Sequence, residues 1–336
     1  MEAFQAPRWL AGSGSWGGNL QTVWPALFSR RHIGRPAAFQ RERWTSPDGD
    51  FIDVDWQRQP AAAPAGEHCL LVLFHGLEGS SASPYAQAFA AHAAHCGWDF
   101  VVPHFRGCSG ELNHAPRAYH SGDYEEIGWI LDRLRRAHPA SRGPMRAVGV
   151  SLGGNALLRW AEEAGQSAAA TVQAVAAVSS PVDLAAGGHA IGRGFNRQVY
   201  TRMFLRSMVP KALAKLAQHP GLFDRERLLA ARDLYQFDDV FTAPLHGFRG
   251  VDDYWSRGSS KPHLRDIRIP ALLLNALNDP FVPARSLPRA DEVGDHVRLW
   301  QPAEGGHVGF PAGPPPGHLL TMPQQVMAWL AAPDLG

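Results

Sequence analysis

Residues 145–160 read MRAVGVSLGGNALLRW. MRAVGV is a short apolar run, the pattern of a strand buried in a sheet. LGGNALLRWAEEA (152–164) then places apolar residues at helical spacing. Between them stands Gly149-Val150-Ser151-Leu152-Gly153, extended by Gly154. A strand that passes into a helix through G-x-S-x-G holds its serine at the tip of a strained turn. Small neighbours are needed because the chain passes close to itself. The free N–H groups of the first helical turn face the same point, where an oxyanion would develop. The competing reading is a glycine-rich turn whose serine caps the helix. No other G-x-S-x-G occurs in the chain.

Strand-like and helix-like segments alternate on both sides of this turn. QRERWTS (40–46) and FIDVDWQ (51–57) read as a hairpin around PDGD. CLLVLF (69–74), WDFVVP (98–103), VQAVAAV (172–178), IPALLLNA (269–276) and HVRLWQ (296–301) read as strands. PYAQAFAAHAAHCG (84–97) reads as a helix stopped by glycine, and QQVMAWLA (324–331) as a closing helix. YEEIGWILDRLRRAHP (124–139) spaces Ile127, Ile130, Leu131 and Leu134 on one helical face, with acids at its start and bases at its end. The alternation predicts a mostly parallel sheet with helices on both faces. It breaks between about Pro181 and Pro262, where no strand pattern is visible. An insertion of that length predicts a lid or cap over the sheet.

The totals bound the function. A chain of 336 residues is long enough for one large domain with an insertion, or two ordinary ones. With 45% hydrophobic and 19% charged residues it builds a substantial core. A net charge of +1 leaves no electrostatic footprint for nucleic acid. The N-terminus lacks the pattern of a signal peptide, and no apolar run reaches the ~20 residues that span a bilayer. The chain is expected to be cytoplasmic. Cys69, Cys96 and Cys108 do not make a disulfide framework. His92, His95 and Cys96 have helical ligand spacing, but no second Cys/His pair completes a metal site, and none is expected.

A serine hydroxyl becomes a useful nucleophile when a histidine takes its proton and a carboxylate orients that histidine. In the strand–turn–helix architecture the chain order is Ser, acid, His. His296, His307 and His318 lie late enough. His296 begins a strand and His318 starts a helix after PAGPPPG, where it reads as a surface residue. His307 sits in GGHVGF (305–310), a glycine-flanked loop just after a strand. Asp279 ends the preceding strand, at the edge where parallel strands converge. Its rival Asp183 reads as a helix cap, and Asp291, Glu292 and Asp295 as solvated charges. HGLEG (75–79) follows the strand CLLVLF. The backbone amides of Leu77 and Leu152 are the expected oxyanion donors, and His75 is expected to stabilise its loop.

HGLEGSSASPYA, FRGCSGELN, RAYHSGD, GVSLGGNALLRW, FTAPLHGF, NDPF and GGHVGF resemble the successive motifs of the YheT-like family of α/β-hydrolases. The resemblance extends from NLQTVWPALF (19–28) to GGHVGF. It implies a single α/β-hydrolase domain over 1–336, with a sheet of about eight strands and a cap at 181–262. It implies a Ser151-Asp279-His307 triad and carboxylesterase or lipase-like activity without a cofactor. Asn278 departs from the family pattern, which has a second acid there, and PAGPPPG (311–317) is a second departure.

In the insertion, NRQVYTRMFLRSMVPKALAKL (196–216) sets Val199, Met203, Leu205, Met208 and Val209 among Arg197, Arg202, Arg206, Lys211 and Lys215. Its apolar residues suit an acyl pocket. Its charges face water or, as the alternative, touch anionic lipid peripherally. The expected partner is a small ester with an apolar acyl chain. Two rivals stay open: an acyltransferase that passes the acyl group to an alcohol, and a non-catalytic binding protein of the same fold. Haloalkane and epoxide chemistry would need a carboxylate where this chain has Ser151.

Overall fold

The computed structural model describes residues 4–11, 14–32, 36–59, 68–139 and 142–335. Its sheet has eight strands: β1 (Gln40–Thr45), β2 (Phe51–Gln57), β3 (Leu70–Phe74), β4 (Asp99–Pro103), β5 (Met145–Val150), β6 (Ala174–Val178), β7 (Ala271–Leu274) and β8 (Val297–Trp300). Their spatial order is β1-β2-β4-β3-β5-β6-β7-β8. The hairpin β1–β2 pairs Thr45 with Phe51, and β2 runs antiparallel to β4. The other pairings are parallel.

The pleat divides the core. On β3, Leu70, Val72 and Phe74 face α3 (Tyr124–Ala137) and α4 (Leu152–Ala164) through residues such as Ile127, Leu131 and Leu157. Leu71 and Leu73 face α2 (Pro84–His95) and the helix Thr321–Ala331 through Phe89, Val326 and Leu330. Burial on both faces is why these strands are short, uninterrupted apolar runs. The helix α1 (Gly14–Phe28) is additional to the elements expected from periodicity. Gly14, Gly17, Gly18 and an internal Pro25 obscure it.

From β3 the chain moves to β4 on one side, then returns past β3 to build β5 on the other. The crevice beyond the carboxyl ends of β3 and β5 is therefore the switch point of the sheet, where open α/β sheets bind ligands. The segments after β5, β3, β7 and β8 carry Ser151, HGLEG, Asp279 and His307 respectively.

Between β6 and β7 the described residues form no strand. Helices there include Leu184–Ile191, Arg202–Gln218, Arg225–Ala230 and Val251–Gly258. They pack around two apolar clusters of their own, one including Leu228, Phe237 and Phe241, the other Leu184, Tyr254 and Trp255.

Candidate active site

Ser151 follows β5 directly and adopts φ 53° and ψ −119°, a region that non-glycine residues rarely occupy. Its neighbours explain the glycines. A Cβ on Gly149 would lie 2.4 Å from the carbonyl oxygen of Gly153. One on Gly153 would lie 2.4 Å from that of His75, and one on Gly154 would lie 1.8 Å from Ser180 Oγ. The elbow is thus pressed against the loop after β3. Ser151 makes no capping bond to its helix, which removes the capping-serine reading.

The hydroxyl is engaged instead by His307. Ser151 Oγ and His307 Nε2 are 2.9 Å apart, and His307 Nδ1 lies 2.9 Å from Asp279 Oδ2. A carboxylate at Nδ1 favours the tautomer with its proton on that nitrogen, which leaves Nε2 an acceptor facing the serine hydroxyl. The Asp279 side chain is fully buried. Its other oxygen accepts the N–H groups of Phe281 at 2.7 Å and Val282 at 3.2 Å, which orient the carboxylate. The Phe281 ring packs against the imidazole with centroids 4.2 Å apart.

The loop bearing His307 is held by side chains rather than by secondary structure. Gly305 N–H donates to Gln21 Oε1 at 2.8 Å, and Gly306 N–H to Asn278 Oδ1 at 3.0 Å. His307 N–H donates to Thr22 Oγ1 at 2.8 Å, and Val308 N–H to Ser179 Oγ at 3.0 Å. Four successive amides are therefore met by acceptors from α1, from the end of β7 and from the end of β6. Gln21 is fully buried, and its Oε1 also accepts from Asn278 Nδ2 at 2.9 Å. Helix and loop pack backbone to backbone: a Cβ on Gly309 would lie 1.7 Å from the Gln21 carbonyl oxygen. These residues carry no catalytic motif. Gln21 and Thr22 lie in NLQTVWPALF, where the family resemblance begins, but nothing in that stretch assigns them a role. Asn278, where the family pattern has an acid, supplies the amide donor that Gln21 Oε1 accepts.

HGLEG, the expected donor loop, is organised around a free amide. Gly76 N–H donates to Tyr85 Oη, Glu78 N–H to Tyr119 Oη and Gly79 N–H to the Gly76 carbonyl. Among the described residues, neither the Leu77 nor the Leu152 amide has a protein acceptor. Both residues line the cavity that opens onto Ser151 and His307. His75 lies beneath this loop: Nδ1–H donates to the Gly76 carbonyl at 2.8 Å, and Nε2 accepts Phe105 N–H at 3.0 Å. Complete burial pushes its pKa down to about 3, so it stays neutral and serves the loop.

The cavity is walled by the sheet-edge loops on one side and by the segment between β6 and β7 on the other. Phe204, Met208, Phe237 and Trp255 contribute its apolar lining. Two bases expected on the outer face of the insertion turn inward. Lys211 pairs with Glu78 Oε2 at 2.8 Å. Lys215 is 1% exposed, and its Nζ donates to the carbonyls of Asn113 and Ala115. Burial lowers the Lys215 pKa to about 8. Lys211 thus joins the insertion to the donor loop, and Lys215 to the loop after β4.

The remaining candidates stand apart. Asp183 caps the helix Leu184–Ile191 through Ala186 N–H at 2.9 Å. His296 is half-buried at the start of β8. His318 differs from the surface position expected of it: its backbone pairs with Ala312 and Arg30, joining the C-terminal segment to the end of α1. Asp291 and Glu292 lie beside Arg289 at the surface. His92 Nε2 lies 3.5 Å from Cys96 Sγ, and no cluster of three metal-ligating side chains occurs among the described residues. Burial pushes the Cys108 thiol up to about 12, so it is not a reactive thiolate.

A family model described as "alpha/beta hydrolase fold" matches residues 70–314. Escherichia coli (strain K12) "Putative esterase YheT" is 38% identical over 314 residues, covering 93% of this chain and 89% of that protein. The chain belongs to the YheT-like α/β-hydrolases, which are of the esterase and lipase type. More distant similarity links this YheT-like hydrolase to mouse "Phospholipase ABHD3", 28% identical over 83% of this chain and 68% of that protein. Saccharomyces cerevisiae "Monoacylglycerol lipase" is 29% identical over 81% of this chain and 59% of that protein. Among solved structures, the fold is shared with the Pyrococcus furiosus esterase PF2001 at a TM-score of 0.51 and 16% identity, covering 91% of this chain and 96% of that one.

Proposed function

We propose that this hydrolase cleaves carboxylic esters through an acyl-enzyme on Ser151. The observation that carries the reading is the relay Ser151–His307–Asp279, with both links at 2.9 Å, at the mouth of an apolar cavity. Ser151 Oγ attacks the ester carbonyl while His307 Nε2 takes its proton, and Asp279 stabilises the resulting imidazolium. The oxyanion receives the Leu77 and Leu152 amides. Collapse breaks the bond to the alkoxy group, which leaves as an alcohol with the proton from His307. Water then gives a proton to the same nitrogen and attacks the acyl carbon; the bond to Ser151 Oγ breaks, Oγ takes the proton back from His307, and the acid leaves. Apart from the water, every step uses groups of the chain itself.

Residues 181–262 act in this reading as a cap within a single α/β-hydrolase domain spanning 1–336. The lining by Phe204, Met208, Phe237 and Trp255 supports an apolar acyl chain in the cavity. The test is covalent labelling by a fluorophosphonate, together with hydrolysis of p-nitrophenyl esters of increasing acyl length. Wild-type protein should label and turn over, and Ser151→Ala should do neither. Equal behaviour of the two would overturn the reading. With ethanol present, free acid should dominate over ethyl ester.

A further inference from the structure

Several stretches of this chain carry bases without acids, and two of them meet in the fold. Between Glu2 and Glu42 stand Arg8, Arg30, Arg31, Arg35 and Arg41 with no Asp or Glu. Between Asp183 and Asp224 stand six bases, again with no acid. In a chain of net charge +1 this is a segregation of charge, and the fold brings the two segments together. Tyr200 Oη donates to Asn19 Oδ1 at 2.7 Å, and the rings of Trp16 and Phe195 lie 5.9 Å apart.

Where they meet, large apolar side chains face outward. Trp16 is 71% exposed, Met203 54%, Phe195 48%, Leu20 46% and Val199 39%. Trp16 and Leu20 are one turn apart on α1, and Phe195, Val199 and Met203 recur every four residues beside it. Scattered exposed apolar residues need no explanation, but five on two adjoining helical segments that touch through Trp16 and Phe195 point to an interaction site. Arg193, Arg197, Arg202 and Arg206 are exposed around it, and none of them makes an ion pair among the described residues. The other two bases, Lys211 and Lys215, are already engaged inward.

The patch lies beside the candidate active site. Trp16 meets Phe195, Phe195 meets Tyr200, Tyr200 meets Phe281, and Phe281 lies against His307. On the helix Arg202–Gln218, Met203 faces solvent while its neighbour Phe204 lines the cavity. No helix among the described residues is long and apolar enough to cross a membrane. An apolar patch rimmed by unpaired arginines matches a bilayer surface, with anionic head groups at the rim and acyl chains at the centre. A second copy fits poorly, because opposing two such faces would set arginine against arginine.

We propose that α1 and the segment Phe195–Arg206 form a docking surface for anionic phospholipid bilayers, seating the cavity mouth against the lipid. The proposal concerns binding, so it stands or falls apart from the ester-hydrolase reading. The full chain is tested by co-sedimentation with vesicles of phosphatidylcholine alone, or mixed equally with phosphatidylglycerol, at low and high salt. Binding is expected on the mixed vesicles and should weaken at high salt. Arg197→Ser with Arg202→Ser should weaken it about thirtyfold. Trp16→Ser with Met203→Ser should weaken it about tenfold or more. Arg136→Ser, an exposed change on α3, should shift it less than about twofold. Unchanged thermal melts show that the variants fold. Equal binding to both vesicle types, or equal loss in the Arg136→Ser control, would overturn the proposal. So would a concentration-dependent dimer dissolved by the Trp16 and Met203 changes, which would give the face to a second copy.

Discussion

The two halves of the candidate site are built in opposite ways. Ser151 is placed by neighbours in its own sequence: a strand, a strained residue and a helix within about twenty positions, held by Gly149, Gly153 and Gly154. His307 is placed by residues up to 285 positions away, since Gln21, Thr22, Ser179 and Asn278 take the four successive amides around it. A strained elbow needs small residues because the backbone itself fills the space. A loop without ladder partners needs side-chain acceptors, because buried N–H groups left unpaired cost about 1–3 kcal/mol each. The serine side should therefore fail by steric change, and the histidine side by loss of hydrogen-bonding groups.

The largest expected effect breaks the comparison at its chemical centre. Ser151→Ala should lower kcat for a p-nitrophenyl ester by about 10⁴-fold or more and abolish fluorophosphonate labelling, with an unchanged thermal melt. Next comes the steric test of the serine side. Gly153→Ala drives a Cβ against the His75 and Phe74 carbonyls, at 2.4 and 2.5 Å. It should cost about 3 kcal/mol in urea denaturation and displace the elbow from the donor loop.

The histidine side should respond to shape-conserving changes that the serine side would tolerate. Thr22→Val keeps the volume but removes the acceptor for His307 N–H. Thr22→Ser restores it. The valine variant should lose about tenfold to a hundredfold in kcat with KM little changed, and the serine variant should recover most of the loss. A stability loss without a kcat effect would show that the loop keeps its place without Thr22.

Acid sharpens the comparison differently, because it titrates the histidine buried under the donor loop. His75 has a pKa of about 3 in the fold, against an ordinary 6.5 in the unfolded chain. The unfolded state therefore binds the proton first, and stability falls as pH drops below about 6.5. The loss from this residue alone should reach about 2 kcal/mol by pH 5, read from urea midpoints. The smallest expected effect is that of Asn278→Asp. The carboxylate still accepts Gly306 N–H but offers no donor to Gln21 Oε1, so kcat should fall severalfold, and Gln21→Glu alongside it should worsen the loss by repulsion.

Most of the sheet was legible because strands buried on both faces leave continuous apolar runs, as in CLLVLF and MRAVGV. The elbow was legible because its requirement is local. The helix α1 was not, since glycine disfavours a helix and Gly18 serves close approach instead: a Cβ there would lie 1.9 Å from the Asn278 carbonyl oxygen. Lys211 and Lys215 read as members of a basic face with Arg202 and Arg206, yet they turn toward Glu78 and toward the carbonyls of Asn113 and Ala115. Helical spacing records which residues share a face, but not which element lies opposite it.

By itself the sequence determined the alternation of strands and helices, the strained turn at Ser151 and the chain order of serine, acid and histidine. These rest on interactions between residues close in the chain, whose spacing is visible in one dimension. Only the tertiary structure decided that Gln21 and Thr22 hold the loop of His307, that two lysines of the insertion face inward, and that two acid-free segments share one apolar face. Those facts depend on contacts between distant segments, and hydrogen bonds and burial act on distance in space, which spacing along the chain does not record.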